Sequence, residues 1–370
     1  MSLIKFNNEQ KLIQGEIRKF ATTELEPLAD DIDKKGVFPK DIINKLFELG
    51  FMSLIIPEKY GGVDMDLTSL CIAVEELSKI SASVGTIVAV NNCFAAYPLM
   101  KFGNENIKEL YLTKLADGEI VGFICEPEID LLPEQNVLND QNNSFVFSGE
   151  RDFVLNGETA SFFILQISNQ EVNKFYIINK DSKELSFTIP KMLGLNAAGI
   201  KSVKFNELLL RKESCLNSEV PGGKILQEVR DFSNICLSSI SLGLAQASLD
   251  AATKYSKERK QFSRLICEFE MIQEMLSDIK IKIETARLLV YDAASKFDNN
   301  QNYSLSAAIA RVYCGNMAVS SALNAIQIYG GYGYIKDYPV ERYFRDSKVL
   351  QLLEASPRTI KIDIAREVLR

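Results

Sequence analysis

Apolar residues recur at helical spacing through the first third of the chain. The run from Ile42 to Leu49 is an example, because its apolar positions lie mostly three or four residues apart and predict an amphipathic helix. Proline and glycine are sparse in this region outside the break from Pro57 to Gly62. We therefore predict an N-terminal helical domain over residues 1–118.

The spacing changes after residue 118. Polar clusters such as the one from Asn139 to Asn143 now separate short runs rich in β-branched and aromatic residues, which is typical of strands joined by turns. We predict an antiparallel sheet or a small barrel in a middle β domain over residues 119–224. The predicted strands are Ile120–Cys125, Ser144–Phe147, Phe162–Ile167, Phe175–Ile178, Phe187–Ile189 and Val203–Phe205.

Long helical stripes return after Pro221-Gly222-Gly223, and no proline interrupts the chain again before Pro339. Stripes of this length in antiparallel order predict a four-helix bundle, which we assign to residues 225–370. Helices, then strands, then helices indicate an α+β chain with segregated domains. The two stripes that carry the prediction are Leu237, Ile240, Leu244, Ala247, Ala251 and Ile272, Met275, Leu276, Ile279, Ile283, Ala286, Val290.

The amino-acid composition argues against several classes of function. The 370 residues are 46% hydrophobic and 25% charged, which is typical of a soluble globular protein with two or three packed units. The net charge of -7 argues against a nucleic-acid partner. No uninterrupted apolar run approaches the roughly 18 residues that cross a bilayer, and the N-terminus lacks the apolar region of a signal peptide. We therefore expect no membrane partner.

The cysteine and histidine counts restrict the chemistry further. The seven cysteines are widely spaced and odd in number, without a C-x-x-C motif, and histidine is absent. We predict reduced thiols in a cytoplasmic protein. We expect no metal site, because cysteines and carboxylates would have to form it alone. Without histidine, proton abstraction must fall to a carboxylate, Lys, Tyr or Cys.

The C-terminal stretch from Gln327 to Arg366 holds the candidate chemistry. Gly330 and Gly331 let the backbone approach a ligand closely. Glu354 follows an apolar run, and a carboxylate in apolar surroundings is pushed toward its protonated form and can serve as a general base near neutral pH. The alternative interpretation is an ordinary acid at the end of a helix.

Five segments resemble one enzyme family, the acyl-CoA dehydrogenases. Each would be weak alone, but together they occur in the family's order over nearly the whole chain. The segments are ELGFMSLIIPEKYGGVDMD (48–66), FGNENIKELYLTKLADGE (102–119), YSKERKQF (255–262), QIYGGYGY (327–334) and PVERYFRDSK (339–348).

The resemblance implies an N-terminal helical domain, a β domain and a C-terminal four-helix bundle. It also implies a homo-oligomer, a dimer or a tetramer, with FAD held between the β domain and the bundle. The implied activity is oxidation of an acyl thioester at its Cα–Cβ bond. Glu354 aligns with the family's catalytic base, although Ala355-Ser356 follows it where most members have Gly-Thr.

The same resemblance supplies cofactor residues. Arg259 and Phe262 align with residues that hold the pyrophosphate and adenosine of FAD across a subunit interface. Gln327, Gly330 and Gly331 align with the other half of that site. Arginine offers a fixed fork of donors to a pyrophosphate, and paired glycines expose backbone N–H groups to it. The further positions assigned to the cofactor are Cys125, Phe153, Leu155, Ser356 and Arg358.

The β domain departs from the family pattern. Cys125 stands where the family has a flavin-contacting Thr, and the following residues lack the family's substrate-contacting Ser. Phe153 replaces the flavin-stacking Trp, and Leu155 replaces a Thr that hydrogen-bonds near flavin N5. Ser233-Asn234 stands where the family has an acid followed by an Arg that faces the substrate region.

We therefore predict FAD-dependent α,β-dehydrogenation of an acyl thioester carried by CoA or by an acyl carrier protein. An electron-transfer flavoprotein is one candidate electron acceptor, and the sequence leaves the acceptor open. One alternative is a non-catalytic or half-catalytic subunit with an impaired flavin site, or a scaffold protein without flavin. A second alternative is a flavin-dependent oxidase that reduces O2 directly.

Overall fold

The computed structural model describes residues 4–124, 137–141, 144–168, 173–217, 219–353 and 355–369. Helices occupy the first third, strands the middle and helices the remainder. This order confirms the predicted α+β class with helical ends and a middle β region. The exact domain boundaries after residues 118 and 224 stay predictions.

Seven α-helices form the N-terminal region over residues 4–118 that the structure describes, and side-chain caps begin several of them. Asn7 forms a capping box with Gln10, and Asp66, Ser81 and Asn104 each accept a hydrogen bond from the backbone three residues on. The helices are α1 Asn8–Phe20, α2 Ala29–Lys35, α3 Lys40–Glu48, α4 Leu67–Ser78, α5 Ala82–Val90, α6 Tyr97–Phe102 and α7 Glu105–Ala116.

The described part of the middle region contains two small sheets, and each predicted run overlaps an observed strand. One sheet has the order β1-β4-β5, in which β1 pairs with β4 in parallel and β4 with β5 in antiparallel. The other is antiparallel with the order β2-β3-β7-β6. The strands are β1 Val121–Ile124, β2 Val137–Gln141, β3 Ser144–Val154, β4 Phe162–Ser168, β5 Asn173–Asn179, β6 Leu185–Thr188 and β7 Lys201–Leu210.

Strand β2 corrects one prediction. Residues Asn139, Asp140 and Gln141 were assigned to a polar turn, but they pair with β3. Their intrinsic strand propensity is low, yet backbone pairing with a neighbouring strand overrides it. The remaining residues of that cluster, Asn142 and Asn143, lie outside the described residues.

A bundle of long helices forms the C-terminal region. A short hairpin of β8 Lys260–Gln261 and β9 Arg264–Leu265 interrupts the helices. The predicted stripes face the core, since Leu237, Ile240, Ile279 and Ile283 are fully buried. The helices are α8 Gly222–Glu258, α9 Glu270–Asp298, α10 Ser304–Tyr329, α11 Val340–Leu352 and α12 Pro357–Val368.

The N-terminal helices and the bundle share one hydrophobic core, whereas most of the sheet core is separate. A Cβ at Gly243 of α8 would lie 2.5 Å from the Glu75 carbonyl oxygen of α4, so glycine permits the close approach of these helices. The Glu75 carboxylate also accepts hydrogen bonds from Arg287 at 2.6 Å and Tyr291 at 2.7 Å. These contacts fix α4 between α8 and α9.

Two helical stretches of the described chain would be long and apolar enough to cross a membrane. They are Ala82–Phe102 and α8. Their most apolar windows are 94% and 78% buried inside the protein, which is typical of core helices.

Candidate functional site

The double glycine forms an open backbone surface at the end of α10. Gly330 has φ 60° and ψ −136°, a conformation that L side chains avoid, so glycine is required there. Apart from the adjoining residues of the chain, no atom of the described residues lies within 4 Å of the position that a Cβ would take at Gly330 or Gly331. A ligand can therefore reach this backbone without displacing side chains.

A groove of about 510 Å³ brings the double glycine together with Arg259, which is distant in sequence. This grouping joins three of the predicted cofactor residues in one surface. The lining residues are Tyr255, Arg259, Gln261, Ile266, Ile328, Tyr329, Gly330, Gly331, Tyr332 and Ile335.

Arg259 supplies positive charge to the groove. Its guanidinium lies 5.6 Å from the ring centre of Tyr332, and it forms no salt bridge with any acid that the structure describes. A cation beside open glycine backbone is suited to an anion such as a pyrophosphate.

Phe262 stands at the tip of the β8–β9 hairpin and is 88% exposed. Phe262 and Ser263 have φ of 51° and 65°, as the two-residue turn of a hairpin requires. A large apolar ring in this position is available to a partner molecule. Gln327 is also exposed, on the last turn of α10 before the double glycine.

Two of the predicted cofactor residues of the β region, Phe153 and Leu155, lie on or beside β3. The pairing of β3 with β7 shifts register between Arg151 and Val154, and Phe153 in this bulge has φ 60° and is 55% exposed. A left-handed conformation is unfavourable for an aromatic residue, and it turns this ring outward. Leu155 is only 5% exposed and offers no polar group.

Two of the assigned residues, Glu354 and Cys125, lie outside the described residues. The structure describes the two residues that flank Glu354. Leu353 and Ala355 are buried, and the Ala355 N–H donates to the Leu353 carbonyl at 2.9 Å.

Arg311 of α10 anchors this connection and was missed from the sequence. Its buried guanidinium donates to the carbonyls of Leu350 at 2.6 Å and Leu353 at 3.1 Å. These carbonyls lie at the end of α11, where they accept the backbone N–H groups of Leu353 and Ala355, and Arg311 adds a side-chain donor to each. The sequence feature that could have identified Arg311 is its position as a single Arg among the small and apolar residues of α10.

Ser356 and Arg358 follow Glu354 at the start of α12. The Ser356 hydroxyl accepts a hydrogen bond from the Thr359 N–H at 3.3 Å and so caps the helix. Arg358 is exposed and has no salt bridge to any described acid. Neither residue lines the groove at Arg259.

The residues present fit a dinucleotide cofactor. The groove offers open glycine backbone and an unpaired guanidinium, and the hairpin and β3 each offer an exposed aromatic ring. The assigned residues form separate groups within one protomer: the groove, β3 and the α11–α12 connection.

Comparison with known proteins identifies relatives along the full chain. Models of the acyl-CoA dehydrogenase N-terminal and C-terminal domains match residues 7–119 and 222–369. A short-chain specific acyl-CoA dehydrogenase of Clostridium acetobutylicum is 32% identical over 98% of both chains. A cyclohexane-1-carbonyl-CoA dehydrogenase of Geobacter metallireducens is 29% identical over 98% of both chains. The structure of butyryl-CoA dehydrogenase from Megasphaera elsdenii has a TM-score of 0.93 at 28% identity, covering 99% of this chain and 100% of that chain.

Proposed function

The chain belongs to the acyl-CoA dehydrogenase family, and from this premise we propose that it oxidises an acyl thioester at the Cα–Cβ bond with FAD as its redox cofactor. One observation carries the proposal. The groove at α10 combines a backbone conformation that favours glycine with the guanidinium of Arg259, which forms no salt bridge to any acid in the described part of the chain. Such a site fits the pyrophosphate of a dinucleotide.

Arg259, Gln327, Gly330 and Gly331 would hold the dinucleotide. Bound FAD supplies the acceptor for the β-hydride of the substrate. Phe262 would reach a neighbouring subunit from the hairpin tip, in a homodimer or homotetramer. The 88% exposure of its ring and the rigid two-residue turn beneath it support this arrangement.

Glu354 is the proposed base that removes the α-proton. Leu353 and Ala355 on either side of it are buried, and Arg311 fixes the preceding carbonyls. Glu354 is the carboxylate that the family resemblance assigns to proton abstraction, and a carboxylate can act as a general base in a chain without histidine. The carboxylate takes the α-proton as the β-hydride leaves the substrate.

The flavin contacts proposed for β3 come from the Phe153 ring and from backbone groups. Phe153 is held outward by the bulge, so its ring can cover a flavin face. Leu155 contributes packing alone. Cys125 stays a predicted contact of the cofactor.

The carrier is proposed to be CoA or an acyl carrier protein, and the acceptor an electron-transfer flavoprotein in the cytoplasm. Rapid reoxidation of the reduced protein by air alone would instead favour a flavin oxidase.

An absorbance spectrum of the purified protein tests the proposed function. We expect a yellow protein whose flavin absorbance is bleached by acyl thioesters under anaerobic conditions. The Glu354→Gln protein should bind FAD normally and be reduced roughly 10² to 10⁴ times more slowly, because it lacks a general base. Glu270→Gln, which changes an exposed acid on α9, is the matched control.

A colourless protein that added FAD does not reconstitute would favour the non-catalytic subunit. Normal reduction of the Glu354→Gln protein would reject Glu354 as the base while leaving FAD binding intact.

A further inference from the structure

The loop that joins β6 to β7 is held against α11. The Leu195 N–H donates to the buried Asp346 carboxylate at 2.7 Å, and the Leu193 carbonyl accepts from the Arg345 guanidinium at 3.3 Å. A Cβ at Gly194 would lie 2.5 Å from the Arg345 carbonyl carbon, so glycine is required for this contact between the loop and the helix backbone. The β6–β7 loop is therefore fixed to α11 by backbone packing as well as by hydrogen bonds.

Arg345 joins this loop to two helices. Besides the loop carbonyl, its guanidinium donates to the Glu341 carboxylate of α11 at 2.6 and 3.0 Å and to the Asp33 carboxylate of α2 at 2.6 Å. The three charged side chains are at most 16% exposed. Asn196 of the loop completes the junction, because it donates to Asp33 at 3.0 Å. A planar guanidinium holds acceptors in several fixed directions at once, which the compact ammonium of a lysine does not do.

The far end of the β6–β7 loop is bonded to the segment that carries the proposed flavin contact. Lys201, the first residue of β7, pairs with Val154, which follows Phe153 in the bulge of β3. The Gly199 carbonyl accepts the Glu158 N–H at 3.0 Å, at the other end of the same segment. A displacement of the loop from α11 therefore moves the backbone beside the Phe153 ring.

Helix α11 runs from this junction to the connection that carries the proposed base. Leu352, the last residue of α11, is six residues beyond Asp346, which is about 9 Å along a helix axis. Leu195 of the loop and Leu353 of the connection belong to the same hydrophobic core. One helix therefore holds the loop near its middle and the connection at its end.

We propose that Arg345 is a positioning residue for the oxidation, which fixes the flavin contact at Phe153 relative to the proposed base at Glu354 through the β6–β7 loop and α11. The proton and the hydride leave adjacent carbons of the substrate, so the carboxylate and the flavin must keep a defined separation. Arg345 acts through the loop and contacts no reacting atom. The inference rests on the proposed function, because it takes FAD to lie against Phe153.

Two variants loosen the loop by different means. Arg345→Lys keeps the positive charge and loses the fork of donors, whereas Gly194→Ala forces the loop away from α11 without a change in charge. Arg342→Lys is the control for Arg345→Lys, because Arg342 binds Asp30 of α2 from the same helix and has no hydrogen bond to the described β6–β7 loop. Gly15→Ala is the control for Gly194→Ala, since no described atom beyond the local backbone of α1 lies within 4 Å of its Cβ position.

Amide hydrogen exchange of the purified full-length proteins measures the junction without any reaction. Arg345→Lys and Gly194→Ala should both raise exchange in the β6–β7 loop and in residues 153–158, while α11 keeps its wild-type protection. Arg342→Lys should raise exchange in α2 alone, and Gly15→Ala should leave all these segments unchanged. Wild-type exchange of residues 153–158 in both loosened variants would overturn the assignment.

Anaerobic reduction of the bound flavin by butyryl-CoA is the second readout. At saturating substrate, Arg345→Lys and Gly194→Ala should be reduced roughly tenfold to hundredfold more slowly than the wild type, because a misplacement of about 1 Å between reacting groups has effects of this size. The dissociation constant of S-butyl-CoA, a non-reactive thioether, should stay unchanged, since the positioning of flavin and base affects the reaction and not the binding of the ground state. Both controls should be reduced at the wild-type rate.

The two readouts separate positioning from a purely structural role. An equal loss of rate in Arg342→Lys, weaker binding of S-butyl-CoA at an unchanged rate, or parallel loss of flavin from both loosened variants would show that Arg345 serves the fold alone. Wild-type rates in both loosened variants would also overturn the assignment. A wild type that butyryl-CoA does not reduce would count against the proposed function for CoA esters, and the exchange pattern would then decide the positioning role by itself.

Discussion

Burial controls the protonation of individual acids in this protein, and Asp346 of α11 shows the effect clearly. Its carboxylate is 3% exposed and accepts a hydrogen bond from the Leu195 N–H at 2.7 Å. Loss of hydration raises the pKa of Asp346 to about 6, and Asp33 adds to the rise. Arg345 and Arg342 oppose it. The native protein therefore retains a proton that the unfolded chain releases near pH 4.

This raised pKa predicts a pH-dependent stability. Between about pH 4 and 6 the native state binds more protons at Asp346 than the unfolded state. The contribution of Asp346 to the stability of the native state therefore falls as the pH rises. Wild-type stability relative to Asp346→Asn should decline by about 2 kcal/mol between pH 4 and 7. Asparagine keeps a neutral acceptor for the Leu195 N–H. Chemical unfolding of both proteins at each pH measures the difference.

Asp152→Asn, at an exposed position of β3, is the control for a general change in charge. A stability difference between wild type and Asp346→Asn that stays constant from pH 4 to 7 would contradict the assignment of the raised pKa to Asp346.

At the scale of elements, the end of α11 depends on α10. The last carbonyls of a helix lack the usual N–H donors one turn further on, and other groups complete their hydrogen bonding where they are buried. Arg311 does so for Leu350 and Leu353. The connection toward α12 is therefore positioned by a side chain that contacts its backbone.

Arg311→Met tests this positioning role. Methionine keeps the length of the side chain and removes its donors, which should cost roughly 1.5–3 kcal/mol of stability. Flavin occupancy should be retained while reduction by substrate slows at least about tenfold, because a catalytic base that is displaced from the substrate removes the α-proton less efficiently. Arg311→Lys should recover part of the rate. Wild-type reduction kinetics in Arg311→Met would exclude the role, and parallel loss of flavin would indicate general misfolding.

Local sequence predicted those elements whose periodicity is set by burial. The stripes of α8 and α9 follow directly from the shared core, and the glycine at Gly330 follows from its backbone conformation. Arg311 could not be assigned, because its role depends on the register of two helices that no local pattern encodes. Strand β2 was missed for the same reason, since pairing with β3 determines its structure.

At the scale of the whole molecule, the assigned cofactor residues form separate groups in one protomer. Arg259 and the double glycine share a groove, while Phe262 extends from the hairpin with an exposed ring. A site assembled from two subunits would bring such groups together. Cofactor and assembly would then stabilise each other, because a ligand bound across an interface favours the associated state.

Phe262→Ala is the sharpest test of this coupling. Loss of a buried phenyl ring from an interface should weaken subunit association roughly tenfold or more, since burial of such a side chain is worth about 2–3 kcal/mol. Sedimentation should show smaller species, and the flavin-to-protein ratio should fall in the same samples. Added FAD should restore both by mass action. Leu12→Ala removes an exposed apolar side chain of α1 and should change neither.

The Arg259→Ala variant distinguishes the loss of cofactor binding from the loss of subunit association. It removes the cation of the groove and leaves the Phe262 ring in place, so flavin occupancy should fall first and thermal stability of the oligomer should fall with it. In the cofactor-free state, Arg259→Ala should associate like the wild type, whereas Phe262→Ala should still associate weakly. If both variants keep full flavin and the wild-type assembly, the cofactor is held within a single subunit and the exposed hairpin has another purpose.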